Sequence, residues 1–297
     1  MEILVNGDAL AVEAGPGATL GEVLAAADEL VDKSGSIIIG IKIDGVDLGA
    51  EDYGEEAKRP ADGIASIEIV AESAREVRIR TMQTLLELVA LAGRAAEGEE
   101  AGAGDWRALR EGATDIRDAF GGLFSADELS FVRLIADELA AAGDAPDAAA
   151  RALVAAQAGK VASVFGERLA ELRDPASEMK AASALFESRA QELADLPVLL
   201  QTGKEDRAMK TVLFFIEVFN KVIRLMPELG HAGVDASAVR IEGKGVAEFY
   251  GEFNGVLREL TGAFEHKDAV LIGDLAEYEI LPRMRGFFAA IKEALPA

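Results

Sequence analysis

The sequence predicts an α+β protein, with a small module of strands and one helix over residues 1–73 followed by an all-α region of one or two helical bundles. Three observations predict it. Short β-rich runs separated by turn residues fill the first segment, the apolar period changes from two to 3.6 after Ser73, and half of the 297 residues are apolar. That apolar share can build cores for two or three domains.

Met1 to Asn6 reads as a strand, Gly7-Asp8 as a hairpin turn and Ala9 to Ala14 as the partner strand. Thr19 with Glu22 forms a capping box, which opens a helix carrying Leu20, Val23, Leu24 and Ala27 on one face. Lys33-Ser34-Gly35 ends it. Ile37 to Ile43 is a β-rich run and Asp44-Gly45 a turn. In Ile64 to Ala71, alternation puts Ile67, Ile69 and Ala71 on one face and Ser66, Glu68 and Val70 on the other.

This order from Met1 to Ser73 resembles the β-grasp fold of ubiquitin and of the sulfur-carrier proteins. The resemblance rests on Met1-Glu2-Ile3-Leu4-Val5, the Thr19 cap, Ile41-Lys42-Ile43-Asp44-Gly45 and Ser66-Ile67-Glu68-Ile69-Val70. In those families the working element is a free terminal Gly-Gly, which is adenylated and then conjugated or converted to a thiocarboxylate. Here Ala71-Glu72-Ser73 leads straight into a helix, so the resemblance implies a fold without carrier chemistry. Aligned through Gly45, the centre of ubiquitin's apolar recognition patch falls on Lys42, and that docking surface is not carried over. The module holds sixteen acidic residues against Lys33, Lys42, Lys58 and Arg59, about half of the net charge, which points to a partner with a basic or polar contact face.

The remainder resembles no characterised family and divides into residues 74–174 and 175–297. In the first part, Met82, Leu85, Leu86, Val89 and Ala92 mark a helix that stops in the Gly98 to Gly104 loop. Trp106 to Leu123 is a second helix. Ser125 and Glu128 cap a third, and Ala145 to Leu172 is a fourth, ending at Asp174-Pro175. The second part reads as Ser177 to Leu200, a break at Gly203, Asp206 to Met226, a loop from Leu229 to Gly245, the stripe Val246, Phe249, Tyr250, Phe253, Val256, Leu257, Leu260 and Phe264, and a last helix from Lys267 to Leu295. Four helices in each part suggest an internal duplication.

Fifty-three Asp and Glu against thirty Lys and Arg give a net charge of -23, which repels phosphate backbones and anionic membranes and argues against nucleic acid or membrane partners. There is no Cys, so thiolate metal sites, cysteine nucleophiles and disulfides are excluded together. No signal peptide is read at the amino terminus, and the longest apolar helical run, Val212 to Ile216, is far short of a membrane span. A cytoplasmic location is the expectation.

Gly15, Gly17 and Gly21 lie between a strand and a helix, but their spacing is wrong for a dinucleotide loop, and Pro16 removes an amide that a phosphate would need. Glu228 and His231 imitate one half of a di-iron ligand set, with Gly230 between them and no second copy. No catalytic residue, cofactor or metal site is therefore predicted. Trp106, Phe214, Phe215 and Phe219 read as core residues.

The most informative cluster is Asp268, Asp274, Glu277, Tyr278 and Glu279, followed by Pro282. Helical spacing puts Leu271, Asp274, Tyr278, Leu281 and Arg285 on one stripe, which predicts an inward Asp274 partnered by Tyr278 or by Lys210, Lys221 or Arg224. Such a carboxylate is more often part of an interior hydrogen-bond network than of a ligand pocket. The expected function is a non-catalytic protein-interaction module: an adaptor, scaffold or assembly factor, with self-association left open. The competing expectation is a small-ligand binder or enzyme with a carboxylate and tyrosine pocket in the C-terminal helices.

Overall fold

The computed structural model describes residues 1–297 except 14, 16, 50, 99, 100, 236, 296 and 297. The end of the expected second strand, the Pro16 reading and part of the Gly98 to Gly104 loop therefore lie outside the described residues. The chain forms two compact units, Met1–Gly166 and Glu167–Ala297.

The first unit begins with β1 (Glu2–Val5) and β2 (Asp8–Ala9). Their turn is Asn6-Gly7, one residue earlier than the sequence suggested. Both residues have positive φ, 51° and 91°, as the hairpin turn that matches strand twist requires. The Asn6 amide then ties the hairpin to Ala71, donating to its carbonyl at 2.8 Å and accepting from its N–H at 3.0 Å. The capping box forms as expected: Glu22 N–H donates to Thr19 Oγ1, and Thr19 N–H donates to Glu22 Oε2 at 2.8 Å. It opens α1 (Leu20–Lys33).

Next come β3 (Ser36–Ile43), β4 (Val46–Asp47), a single helical turn α2 (Tyr53–Glu56) and β5 (Ser66–Ser73). The sheet order is β2-β1-β5-β3-β4, with β1 and β5 parallel and the other pairs antiparallel. Register places Ile3 and Ile43 on either side of Ile67. Leu20, Val23, Leu24 and Ala27 of α1 close over this row, and each fully buried aliphatic side chain stabilises the unit by about 1.5–3 kcal/mol.

β5 passes without a linker into α3 (Ala74–Ala96). It is followed by α4 (Ala103–Phe120), α5 (Ala126–Ala142) and α6 (Ala148–Arg173). Trp106 is buried, as expected of a residue covering the core. The Ser125 and Glu128 capping box also forms, and Glu128 additionally receives both Arg78 hydrogen bonds, at 2.8 and 2.9 Å.

α6 ends at Arg173, and Asp174 caps α7 (Pro175–Ala194) by accepting from Ser177 N–H at 2.9 Å. The compact units divide earlier, inside α6. The expected helix from Ser177 to Leu200 is broken at Asp195, where α8 (Leu196–Gln201) starts with Pro197, which has no N–H to continue the earlier helix. Then follow α9 (Glu205–Glu228), a 3-10 turn at Leu229–Ala232, and a hairpin of β6 (Arg240–Ile241) and β7 (Lys244–Gly245). That hairpin falls where a loop was expected. Two-residue strands are too short to show a period, and only Glu242-Gly243, both at positive φ, mark its turn.

α10 (Val246–Glu265) buries Phe249, Phe253, Leu260 and Ala263. The expected last helix has three parts: α11 (Ala269–Asp274), a π-helical segment (Leu275–Ile280) and α12 (Leu281–Ala294). Pro282, which cannot donate to a carbonyl one turn back, follows directly on the widened segment. The unit's centre is aromatic, with Phe219 and Phe253 at 4.7 Å between ring centroids and Phe249 stacked on Phe253 at 5.7 Å. Phe215 and Phe219 are buried, and Phe214 is half-buried under the Arg189 guanidinium. Among the described residues no helix is long and apolar enough to cross a membrane.

At Gly273, α11 lies against Pro197 so closely that a Cβ would collide with the proline ring. Gly273→Ala is expected to lose about 1–3 kcal/mol of stability in denaturant titration. Gly166→Ala, on an exposed helical position with open space around it, should instead gain about 0.5–1 kcal/mol.

Candidate interaction site

The predicted C-terminal cluster is not brought together as a pocket. Asp268 is the N-cap of α11 and accepts from Leu271 N–H at 3.0 Å. Asp274 is exposed, contrary to its expected inward direction, and Tyr278 is 65 % exposed beside an exposed Glu277. The buried stripe runs through Ile272, Leu275, Ala276 and Ile280, one position round the helix from the stripe drawn through Leu271 and Asp274. Four apolar residues define the inner face, and a lone carboxylate is cheaper to keep in water. Glu279 pairs with Arg283 at 2.9 Å, and Arg283 also reaches Glu252, which holds Lys244.

The cations expected to meet Asp274 go elsewhere. Lys221 bonds Glu178 at 2.7 Å and Glu167 at 3.2 Å, and Arg224 forks onto Glu171 at 2.8 and 3.1 Å. Arg168 approaches the same carboxylate at 3.1 Å, and Glu171 is only 3 % exposed. This network joins α6, α7 and α9. Sequence reading missed it, although Glu167 and Glu171 stand one turn apart on a helix, as do Lys221 and Arg224.

Burial alone would lower the Lys221 pKa, but Glu178 and Glu167 outweigh it and hold it above the ordinary 10.5. Burial alone would raise Glu167, but Lys221, Arg168 and Arg224 hold it below the ordinary 4.5. The Tyr250 hydroxyl is buried without a hydrogen-bond partner beside Phe219 and Phe249, and burial raises its pKa. His231 is exposed at the end of the 3-10 turn. Among the described residues no group of three or more His, Asp or Glu is placed to hold a metal ion.

The first unit contains a cleft of about 650 Å³ between β3 and helices α3 and α4. Ile37, Ile38 and Ile39 form one wall, and Val77, Ile116 and Phe120 face them. β4 pairs with β3 only at Lys42 and Ile43, and Leu48 N–H adds one bond to the Ile41 carbonyl. Ser36 to Gly40 therefore has no strand along its outer edge among the described residues. A bulge between Ile38 and Gly40 turns Ile39 outward, and both Ile39 and Phe120 are exposed. Consecutive isoleucines in a strand were legible in the sequence, but a half-covered edge was not.

Residues 1–73 match the family model of the TP0873 N-terminal domain, and residues 177–289 match that of a domain of unknown function, DUF8042. The first match ends where β5 gives way to α3, and the second lies wholly within the second unit. No curated protein and no solved structure matches the chain.

Asp274→Asn is expected to change stability by less than about 0.5 kcal/mol, whereas Glu171→Gln should lose about 1–3 kcal/mol in the same denaturant titration. The pH profile follows from the signs of the shifts. The Glu167 contribution is complete above its ordinary 4.5 and is lost as pH falls through its lowered folded value. The Lys221 contribution is complete below its ordinary 10.5 and is lost as pH rises through its raised folded value. Stability of wild type should therefore fall at both extremes, and Lys221→Met should flatten the alkaline arm.

Proposed function

We propose that this chain is a non-catalytic cytoplasmic protein-interaction module, an adaptor, scaffold or assembly factor, whose first 73 residues are a ubiquitin-like β-grasp kept for binding. Its partner presents an extended segment, apolar and basic in alternation, to the open stretch of β3. The observation that carries this reading is the cleft beside Ser36 to Gly40, where the edge of β3 away from β5 has no strand among the described residues and stands next to an apolar wall. Strand addition at such an edge draws affinity from main-chain hydrogen bonds and specificity from alternate side chains.

Three further features support it. The strand order with a parallel central pair and α1 across one face agrees with a β-grasp arrangement. The direct passage from Ser73 into α3 leaves no free Gly-Gly carboxylate at the strand end, which removes the chemistry of carriers and modifiers while leaving the surface. Finally, the surplus of Asp and Glu in the module speeds encounter with a basic segment and repels acidic ones.

Titrating the isotopically labelled full chain with synthetic peptides that alternate Val or Ile with Lys or Arg tests the proposal by NMR. Amide shifts are expected at Ile37 to Gly40, and Ile39→Asp or Phe120→Asp should weaken binding at least about tenfold, or ~1.4 kcal/mol. Peptides that bind without moving these amides, or that bind both variants as well as wild type, would overturn it.

A further inference from the structure

We propose that α9 carries a second, outward apolar seam through which two copies of this chain associate side by side and in register. The helix already has a complete inner face, with Ala208, Val212, Phe215, Phe219, Val222 and Met226 in the core of its own unit. Yet Met209 is 45 % exposed, Leu213 51 %, Ile216 37 % and Ile223 40 %. Isolated exposed apolar residues are ordinary and need no explanation. These four are not isolated.

With Asn220 they are separated by 4, 3, 4 and 3 residues, the 3.5-residue repeat of a helix that meets a partner helix along its whole length. The seam from Met209 to Ile223 is about 21 Å long at about 1.5 Å per residue. It places Leu213 and Asn220 at one of the two seam positions, and Met209, Ile216 and Ile223 at the other. Met209, Leu213 and Ile223 lie outside the inner face, while Ile216, the least exposed of the four, also borders a small apolar cavity with Val212, Phe215 and Phe219.

Two features identify the occupant as a second copy. Asn220 sits in an otherwise apolar seam at the position where a single Asn fixes register and chain number by pairing with its counterpart. An amide there is a liability against a purely apolar partner and is satisfied by another Asn220. The flanks are also self-complementary. In a parallel pair, Glu205 of one copy faces Lys210 of the other across the seam, on both sides of the axis. Glu205 is held only at 3.9 Å by Lys267, and both Glu205 and Lys210 are exposed.

The number of copies follows from packing. Leu and Ile at these seam positions would favour larger assemblies in a free coiled coil. Here the flank formed by Val212, Phe219 and Met226 is buried in the unit's own core, so only one side of α9 is open. One partner helix fits, and the assembly stops at a dimer. This inference is independent of the β3 edge, which belongs to the other compact unit.

Light scattering of the full chain at tens of micromolar should give about twice the 31.3 kDa of one chain. Met209→Glu with Leu213→Glu should return the mass to that of one chain, with circular dichroism unchanged because both side chains are about half exposed. The chain has no cysteine of its own, so Asn220→Cys reports alone. Under mild oxidation it should form a covalent dimer, abolished by adding Met209→Glu and Leu213→Glu. A monomeric wild type, or a dimer indifferent to the double substitution, would overturn the seam. A dimer in which Cys at 220 does not cross-link would overturn the parallel register.

Discussion

Glu128 and Glu171 are carboxylates removed from water, and each is met by a guanidinium: Arg78 on the first, Arg224 and Arg168 on the second. An unpaired charge in either place would cost several kcal/mol, so any rotation of the surrounding helices that separated these partners would be strongly disfavoured. The constraint reaches well beyond the two sites. With 53 acidic and 30 basic residues, cations are the scarcer group. Arg224 and Lys221 face the acids of α6 and α7, while Asp274 and Glu277 are exposed.

This distribution shapes what the protein can bind. The chain carries a net charge of -23, and a negative field of that kind favours encounter with cationic groups over anionic ones. Against that field, two surfaces are chemically unfinished. Among the described residues the outer edge of β3 at Ser36 to Gly40 meets no strand, and α9 leaves Met209, Leu213, Ile216 and Ile223 partly exposed. Natural sheets normally blunt such edges, and a bulge and a neighbouring helix already shorten this one to a few residues. The two surfaces differ in kind: one is a strand edge in the first unit, the other an outward stripe on a helix of the second.

Several local elements follow from features that the sequence displays openly. Alternation in Ser66 to Ala71, the Thr19 and Ser125 caps and the Asp44-Gly45 turn all act through neighbours within a few residues, and each was formed as read. The readings that failed have different causes. The inward Asp274 required knowing which face another element would cover, whereas the break at Asp195 comes from Pro197 and the β6–β7 hairpin from strands too short to show a period.

By itself the sequence determined the α+β class, the start of the helical region after Ser73, the capped helix starts at Thr19 and Ser125 and the apolar stripe of α10, because each depends on local geometry and on a hydrophobic period. Only the tertiary structure decided the rotation of the last helix that left Asp274 in water, the cations that went to Glu171, and the stretch of β3 that stayed uncovered. Those outcomes depend on which distant surfaces meet. Helical spacing shows which residues share a face, but whether that face is dry is settled by the neighbours that pack against it.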